Sequence, residues 1–333
     1  MKVLLTGAFG NVGSSTLEEL IKIGHQVRCF DIKTSINKKR ARKFRKKVEI
    51  FWGDLRNIED VEGAVVGVDV VIHLAAIIPP LANQNPEFAE TVNVGGTRNI
   101  INAMEKLPNP PKLIYTSSVA VYGDIRHKES PIIKTTDPFN PSPHDEYARQ
   151  KIKCEELIKN SELIWVIFRL AAIPPLDIKL DPLMFEVPLD TPIEFAHTKD
   201  TGLAIAKAAS NKEIWGKIFH LAGGEQCRIP YKEYVGKMLE AMGIGRLPEE
   251  AYSDAPFHCG YMETKESQRL LQYQRHTFDD LLEETKKRAP MKRLLAILFR
   301  PLVRSYLLGK SPHYQTYKRS LRKTPVEPKP VKT

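Results

Sequence analysis

The stretch Thr6-Gly7-Ala8-Phe9-Gly10-Asn11-Val12-Gly13 decides the fold, because it joins a short apolar run, Val3–Leu5, to a segment with helical spacing, Ser15–Ile23. In a loop between a strand and a helix, glycines allow a tight turn, a close backbone approach to a pyrophosphate, and close packing of the helix on the strand. The start of the helix offers free N–H groups and a positive dipole end to phosphates. The stretch therefore predicts a dinucleotide-binding loop.

Short apolar runs alternate with amphipathic stretches through the first 170 residues. Further strands are predicted at Val27–Phe30, Val48–Trp52, Val70–Ala76, Leu113–Tyr115, Leu163–Leu170 and, later, Ile218–Ala222. Phe88–Leu107 is predicted to be helical, because its apolar residues recur at steps of three to four. Continuous apolar strands separated by helices are typical of a parallel sheet covered on both faces.

These patterns predict an α/β fold, a Rossmann-type doubly wound parallel sheet with a smaller C-terminal substrate-binding lobe. We expect the cofactor-binding domain in residues 1–170, with the strand near residues 216–222 returning to the lobe boundary. The lobe is expected mainly in residues 171–288, where prolines multiply and the alternation weakens. Residues 289–333 are expected to form a basic amphipathic helix and then, from about Ser311, a disordered tail.

The net charge of +10 is concentrated in two segments. Met291–Thr333 holds eleven Lys or Arg against one acid, and Lys33–Lys47 holds nine with no acid. No nucleic-acid recognition motif accompanies these residues, so we expect no nucleic-acid partner. No apolar run reaches the ~18–20 residues of a membrane-spanning helix. The four cysteines and nine histidines lack metal-ligand spacing, so we expect no metal site. We expect the thiols to be reduced, as in a cytoplasmic protein.

The choice of cofactor depends on Asp31, which ends the second predicted strand, 24 residues after Gly7. A carboxylate there accepts hydrogen bonds from the adenosine ribose hydroxyls and repels a 2′-phosphate, which favours NAD over NADP. Lys33 is a counter-signal, because a basic side chain near Asp31 could hold a 2′-phosphate. Asp54 and Leu55 follow the third strand, where the Asp could face the adenine.

Tyr147 and Lys151 lie four residues apart at the start of a predicted helix, so both side chains share one face. A nearby ammonium stabilises a phenolate and is expected to lower the pKa of Tyr147. Ser118 follows the fifth strand, at the sheet edge where ligands bind, and could donate to a substrate oxygen. Asn93, in the Phe88–Leu107 helix, could hold a water that relays a proton to Lys151.

The chain resembles the extended short-chain dehydrogenase/reductase superfamily, in its NAD-dependent epimerase/dehydratase branch, over roughly residues 2–280. The motifs that carry the resemblance occur in the family's order: the Thr-Gly-x-x-Gly-x-x-Gly loop, Asp54, His73-Leu74-Ala75-Ala76, Asn93, Ser118, Tyr122-Gly123, Tyr147 and Lys151.

The resemblance implies a catalytic set in which Tyr147 is the acid/base, Lys151 its electrostatic partner and Ser118 the donor to the substrate oxygen. Ser117 would lie near the substrate or the nicotinamide. Cofactor contacts are implied for Gly7, Phe9, Gly10, Asn11, Val12, Gly13, Asp31, Asp54, Leu55, Leu74, Ala75, Ala76, Tyr147 and Lys151. A homodimer through the Tyr147 helix and the Phe88–Leu107 helix is expected on the same basis.

Departures from the family pattern narrow the chemistry. The 4,6-dehydratases carry an Asp-Glu pair where this chain has Val119 and Ala120, so water elimination is not expected. Nucleotide-sugar epimerases have Arg-x-x-Asn where this chain has Arg169-Leu170-Ala171-Ala172, which weakens a nucleotide-sugar substrate without excluding it. Arg169 and Arg228 remain candidate ligands for a polar or anionic small-molecule substrate.

Met291–Lys310 predicts a basic amphipathic helix in which Leu294, Leu298 and Leu302 share one face and Arg293 and Arg304 the other. Such a helix either packs on its own domain or a partner subunit, or lies on an anionic membrane surface. Pro301 is expected to kink the helix or break it in two.

Three functions remain open on the sequence. The first is an NAD-dependent epimerase or dehydrogenase acting on a sugar-type, including nucleotide-sugar, secondary hydroxyl. The second is an NAD(P)-dependent dehydrogenase or reductase of a non-sugar secondary alcohol, such as a hydroxysteroid-like or small carbonyl substrate. The third is a cofactor-binding subunit without turnover, against which the intact Ser118, Tyr147 and Lys151 argue.

Overall fold

The computed structural model describes residues 1–174 and 180–323. Its strands in chain order are β1 Lys2–Thr6, β2 Gln26–Asp31, β3 Glu49–Trp52, β4 Val70–His73, β5 Lys112–Ser118, β6 Ile132–Ile133, β7 Trp165–Leu170, β8 Pro192–Glu194, β9 Lys217–Leu221, β10 Arg228–Pro230 and β11 Tyr261–Met262. Its helices are α1 Asn11–Ile23, α2 Ser35–Ala41, α3 Ile58–Val65, α4 Leu81–Gln84, α5 Pro86–Glu90, α6 Gly96–Glu105, α7 Glu146–Lys159, α8 Thr198–Ala208, α9 Tyr231–Ala241, α10 Lys265–Leu271, α11 Phe278–Arg288, α12 Pro290–Leu298, α13 Arg300–Lys310 and α14 Pro312–Lys323.

Seven of these strands form one parallel sheet in the order β3-β2-β1-β4-β5-β7-β9. Each of the seven apolar runs singled out in the sequence corresponds to one of them, so the predicted Rossmann-type sheet is confirmed. Alternate strand residues enter opposite cores: Leu5 packs with α1 and α8 on one face, whereas Leu4 packs with α3, α6 and α7 on the other. The sheet is therefore covered on both sides, as its uninterrupted apolar strands require.

The strand order reverses direction between β1 and β4, which pair directly with Val3 opposite Val70. The loops after these two strands diverge to opposite faces and open a crevice at the carboxyl edge of the sheet, where doubly wound folds bind ligands. His73 ends β4 and is buried between the hydroxyls of Thr6 and Thr97, at 2.8 and 3.1 Å. His73 is therefore a core residue, and burial lowers its pKa to about 3.

The helix predicted over residues 88–107 is present as one helical stretch made of three segments. α5 leads into one π-helical turn, Thr91–Gly95, which continues into α6. π-Helical turns are rare and often occur at functional sites. Here the turn carries Asn93, which is 3% exposed.

The chain divides into two compact units. The first comprises Met1–Asp177, Pro192–Arg228 and His258–Phe278, and contains the seven-stranded sheet. The second comprises Ile178–Thr191, Ile229–Phe257 and Asp279–Thr333, and contains α9, α12, α13 and α14.

The expected break at Pro301 is present, because α12 ends at Leu298 and Pro301 lies in the first turn of α13. The disorder expected from Ser311 is contradicted for the next twelve residues, which form α14. The rest of that expected tail, residues 324–333, lies outside the described part of the chain. In residues 1–174 and 180–323, no helix has both the length and the apolar composition needed to cross a bilayer.

Candidate active site

The glycine loop between β1 and α1 leaves no room for side chains at two of its glycines. Gly7 has φ +64°, and a Cβ there would lie 2.9 Å from the Cα of Ala75. A Cβ on Gly13 would lie 2.0 Å from the Gly7 carbonyl oxygen. The loop therefore packs directly against the end of β4, which brings the start of α1 to the edge of the sheet.

The amino end of α1 is open to an anion. Its N-cap is Gly10, which has no side chain to accept the first N–H groups of the helix. These groups, together with the helix dipole, suit a phosphate. The side-chain amide of Asn11 donates a hydrogen bond to the Pro174 carbonyl at 3.4 Å, which connects the start of α1 to the segment after β7.

One cavity of about 290 Å³ extends from the glycine loop along the carboxyl ends of β2 and β3. Asp31, Asp54 and Leu55, three of the residues predicted to contact the cofactor, line this cavity. The carboxylate of Asp54, however, already binds the Arg56 guanidinium through both oxygens. Asp54 therefore presents this ion pair, rather than a free carboxylate, to the cavity.

Asp31 is held by the loop that it faces. Its Oδ2 accepts the Phe9 N–H at 2.9 Å, and its Oδ1 accepts from Ile32 N–H and the Asn37 amide. Burial raises the pKa of Asp31, while these hydrogen bonds and the nearby Arg40 oppose the rise. Because Arg40 donates to the Phe9 carbonyl at 2.8 Å, its charge is turned toward the loop and Asp31.

A second cavity of about 320 Å³ brings together Ser117, Ser118, Tyr147 and Lys151. The same cavity is lined by residues of the glycine loop, and Gly7, Gly10, Leu74 and Ala76 line both cavities. The candidate catalytic side chains therefore share one crevice with the candidate cofactor loop, although they come from β5 and α7. Apart from these polar groups, the wall is largely apolar and includes Val12, Ile78, Leu170, Ala171 and Ile173.

The Tyr147 phenol and the Ser118 hydroxyl line the same cavity. Burial raises the pKa of Tyr147, the nearby Ser118 hydroxyl lowers it, and the charge of Asp145 adds to the rise. The expectation that Lys151 lowers the pKa of Tyr147 below its usual value is thus not met, since burial outweighs the stabilising contacts. At neutral pH Tyr147 is a neutral phenol, which suits a proton donor.

Lys151 is 3% exposed. Its ammonium donates to the Thr116 carbonyl at 2.7 Å and to the Tyr115 hydroxyl at 3.2 Å. The Lys151 Nζ lies 5.7 Å from the centroid of the Tyr147 ring, so the charge is near the phenol without bonding to it. Burial lowers the pKa of Lys151 to about 8, against the opposing effects of Cys154 and Glu155.

Asn93 was expected to hold a water that relays a proton to Lys151, but its side chain is bonded to other protein groups. Its side chain accepts the Ile77 N–H at 2.7 Å and donates to the Ile77 carbonyl and to Gln150. Its main-chain carbonyl accepts from Thr97 and Cys154. With both amide ends used, Asn93 ties the loop after β4 to α7 rather than presenting a free group to Lys151.

The structure does not support the two arginines suggested as substrate ligands. Arg169 is 2% exposed and forms a bidentate pair with Glu155, at 2.9 and 2.8 Å, and it also donates to Tyr122. Arg228 binds the buried Glu194 at 2.9 Å and the Met262 carbonyl at 2.8 Å. Neither lines the cavity that holds Tyr147. Sequence could not reveal this, because each arginine pairs with an acid distant in the chain.

Two further residues position α7 and were missed in the sequence. Asp145 caps α7 by accepting the Ala148 N–H at 3.0 Å, and it also pairs with His258. Asn83 accepts the Tyr147 N–H at 3.2 Å. An Asp just before a helix is a recognisable capping signal, whereas nothing local marks Asn83 or His258 as its neighbours.

The chain is similar to known dehydrogenases in sequence. The model of the 3-beta hydroxysteroid dehydrogenase/isomerase family matches residues 4–165. The 3-beta-hydroxysteroid dehydrogenase of Mycolicibacterium neoaurum is 32% identical over 165 residues, which cover 47% of this chain and 42% of the relative. The decarboxylating sterol-4-alpha-carboxylate 3-dehydrogenase of Bos taurus is 26% identical over 260 residues, covering 71% and 68%.

A third relative acts on a different kind of substrate. The N-acetyl-alpha-D-glucosaminyl-diphospho-ditrans,octacis-undecaprenol 4-epimerase of Escherichia coli O157:H7 is 34% identical over 160 residues, or 47% of this chain and 42% of the epimerase. The chain thus spans less than half the length of some of the curated relatives that it matches.

Among solved structures, the UDP-glucuronic acid 4-epimerase of Bacillus cereus, in complex with UDP-glucuronic acid and NAD, shares the fold. It has a TM-score of 0.72 at 20% identity, covering 86% of this chain and 98% of the epimerase.

Proposed function

We propose that this chain is a member of the extended short-chain dehydrogenase/reductase superfamily and, on that premise, an NAD-dependent enzyme that transfers hydride at a secondary alcohol carbon. The observation that carries the proposal is the shared crevice in which Ser118, Tyr147 and Lys151 line the same cavity as Gly7 and Gly10. A cofactor bound along the glycine loop would end beside Ser118 and Tyr147. The proposal assigns the hydroxyls of these two residues to the substrate oxygen.

The residues of the crevice fit NAD at three points. Gly13 and Gly7 are in close contact and have no side chains, so a pyrophosphate can approach the backbone of the loop closely. The uncapped start of α1 supplies N–H groups to the same phosphates. Asp31 stands at the end of β2 with a carboxylate that suits ribose hydroxyls and disfavours a 2′-phosphate. When bound, NAD would supply the hydride acceptor or donor at nicotinamide C4.

Side chains of this protein would then transfer the proton. In the reductive direction Tyr147, a neutral phenol, donates its proton to the oxygen of the carbonyl substrate, while Ser118 donates a hydrogen bond to the same oxygen. Lys151, held by the Thr116 carbonyl, places a positive charge near the phenolate that remains. In the oxidative direction the same groups act in reverse, so Tyr147 must first lose a proton that burial favours keeping.

Elimination of water is not part of the proposal. Val119 and Ala120 occupy the positions after Ser118 and are 4% and 0% exposed in the short 3-10 turn that follows β5. Neither can act as a general acid or base. The proposed reaction is therefore hydride transfer with proton transfer, and the substrate keeps its carbon–oxygen bond.

For the substrate we favour a hydroxyl on an apolar ring system, the second of the classes left open by the sequence. The cavity around Tyr147 has an apolar wall that includes Ile78, Leu170 and Ile173, which suits an apolar body around the reacting carbon. Arg169 and Arg228 are engaged by Glu155 and Glu194, so neither supports binding of a diphosphate. The match to the hydroxysteroid dehydrogenase model supports the same class.

A sugar 4-epimerase acting on a lipid-linked diphosphate sugar is the second candidate. It is supported by the 34% identical relative with that activity, and the same three residues would serve it. An epimerase returns the hydride to the carbon from which it came, so it has reason to retain its cofactor between half-reactions. A dehydrogenase must release the cofactor after each turnover.

The experiment that tests the proposal is native mass spectrometry of the purified protein, followed by denaturation and identification of released small molecules. Stoichiometric bound NAD would favour the epimerase, and an empty protein that binds NAD reversibly would favour the dehydrogenase. A panel of hydroxysterols and lipid-linked or nucleotide sugars, followed by NADH absorbance or product analysis, then assigns the substrate. Failure to bind NAD or NADP at millimolar concentration would overturn the proposed function.

A further inference from the structure

The second compact unit carries an exposed apolar surface, which we call the α12–α13 face. Its members are large apolar or aromatic side chains on α12, on α13 and at their junction, each between 47% and 68% exposed: Met291, Leu294, Leu295, Leu298, Phe299, Leu302 and Tyr306. Single exposed apolar residues are ordinary, but a contiguous set of this size marks an interaction surface.

The two helices are attached by arginines together with a few apolar side chains, such as Leu307, which is 4% exposed. Arg293 donates to the Ala241 carbonyl at 3.0 Å, Arg300 to the Gly243 carbonyl at 3.2 Å, and Arg304 to the carbonyls of Ile244 and Arg246. These carbonyls lie at and just beyond the carboxyl end of α9, where the helix dipole favours cations.

The arginine contacts place charged side chains on the inner side of the helices, where a surface helix usually has its apolar stripe. Gly243 reinforces this attachment, because a Cβ there would lie 2.8 Å from both the Arg293 carbonyl oxygen and the Ile297 side chain. Arg293, Arg300 and Arg304 are thereby used inside the unit, whereas the side chains of the α12–α13 face are exposed.

The charge around this face has one sign. Residues 291–323 contain nine Lys or Arg and no Asp or Glu. Lys292, Lys310, Lys318 and Arg319 are exposed along α12, α13 and α14. Lys310 also lies over the ring of Tyr306, with its Nζ 5.4 Å from the ring centroid. Apolar side chains bordered by exposed cations are complementary to a bilayer surface that carries anionic headgroups.

We propose that the α12–α13 face binds the surface of an anionic lipid bilayer, with α12 and α13 lying in the plane of the interface. The helices have nine and eleven residues, which is too short to span a bilayer core but sufficient to lie in its headgroup layer. A second copy of the chain is the weaker occupant, because two such faces would bring two uniformly basic segments together. The proposal does not depend on the proposed catalytic function.

Vesicle flotation of the full chain tests the proposal. The wild-type protein is expected to float with phosphatidylcholine–phosphatidylglycerol vesicles, and at least about tenfold less with pure phosphatidylcholine, because a surface potential adds to apolar insertion. Replacing exposed apolar residues in the pair Leu298→Asp/Leu302→Asp should reduce binding to the mixed vesicles at least about tenfold. The matched control is Val66→Asp/Ile164→Asp, which changes two residues that are each 55% exposed in the first unit and should bind like the wild type.

A second variant separates the charge from the apolar contribution. Lys292→Gln/Lys310→Gln/Arg319→Gln should bind mixed vesicles more weakly and should lose most of the dependence on salt that the wild type shows. Circular dichroism and sedimentation velocity of each variant verify folding and oligomeric state. The proposal is overturned if the wild type does not float with anionic vesicles, or if Leu298→Asp/Leu302→Asp leaves flotation unchanged. It is also overturned if that variant converts an oligomer into a monomer while the wild type fails to bind vesicles.

Discussion

The Lys151 ammonium donates to the main-chain carbonyl of Thr116 at 2.7 Å, which ties α7 to the strand that ends in Ser118. The contact fixes the position of a cation beside Tyr147 without engaging the phenol. It also buries the cation, and burial lowers the pKa of Lys151 to about 8. The site therefore holds its charge at a cost in stability, which is common where a buried group serves catalysis.

Replacement of Lys151 should reveal that cost. The folded-state pKa is below the unfolded value of ~10.4, so the unfolded chain binds more protons between these pH values and wild-type stability rises with pH there. Lys151→Met should raise the free energy of unfolding at pH 7 by up to about 3 kcal/mol, and the gain should vanish above pH ~10.4. Urea unfolding of both proteins across this pH range measures the effect, and a less stable variant at pH 7 would contradict it.

Loss of the Tyr147 hydroxyl should affect chemistry and leave cofactor binding intact. Tyr147→Phe removes the proposed proton donor while keeping the ring, so kcat should fall by about 10²–10⁴-fold. The dissociation constant for NAD, measured by calorimetry, should change little. Tyr234→Phe is the matched control, because this tyrosine belongs to α9 in the second unit, and its kcat should match the wild type. Near-normal turnover of Tyr147→Phe would remove the proposed role.

The preference for NAD should depend on Asp31. The wild type is expected to bind NAD at least about tenfold more tightly than NADP, because the carboxylate suits ribose hydroxyls and repels a 2′-phosphate. Asp31→Ser removes the repulsion, while Arg40 stays close to the same position, so the ratio of the two dissociation constants should move toward NADP. The variant also loses the acceptor of the Phe9 N–H, so the ratio, rather than either constant alone, is the informative quantity. An unchanged ratio would separate Asp31 from cofactor choice.

The sheet and α7, which carries the proposed catalytic pair, could be predicted because their signals are local. β1 to β5 are apolar runs bounded by turns, and the spacing of Tyr147 and Lys151 alone places them on one face of α7. The partners of Arg169 could not be predicted, because Glu155 and Tyr122 meet it only after β7 packs beside α7 and the end of β5. The direction of the Tyr147 pKa also depends on burial, which the spacing of two residues does not reveal.

Steric contact in the glycine loop can be separated from backbone strain by comparing two glycines. Gly7 and Gly67 have nearly equal φ, +64° and +69°, but a Cβ on Gly67 would meet nothing within 4 Å, whereas one on Gly7 would meet Ala75. Gly67→Ala should cost roughly 1–2 kcal/mol for the left-handed conformation. Gly7→Ala should cost a further 1–3 kcal/mol or so, because the loop must move away from β4. Equal losses in thermal unfolding would show that the contact with Ala75 relaxes freely.

The buried pair of Arg169 and Glu155 is expected to stabilise the fold rather than to bind substrate. Although burial raises the pKa of Glu155, the hydrogen bonds and charge of Arg169 lower it below its usual value, so the carboxylate is ionised beside a guanidinium that is 2% exposed. Arg169→Met leaves that carboxylate without its main partner and should cost about 3–5 kcal/mol. The double variant Arg169→Met/Glu155→Leu removes both charges and should recover most of the loss.

Denaturant unfolding of the two single variants and the double variant completes the cycle. A structural pair predicts that the double variant also regains kcat and KM close to the wild type, since neither side chain lines the cavity with Tyr147. A substrate ligand predicts the opposite, because a raised KM would persist in the double variant whatever its stability. Persistence of a large KM defect in a stable double variant would therefore return Arg169 to the substrate site.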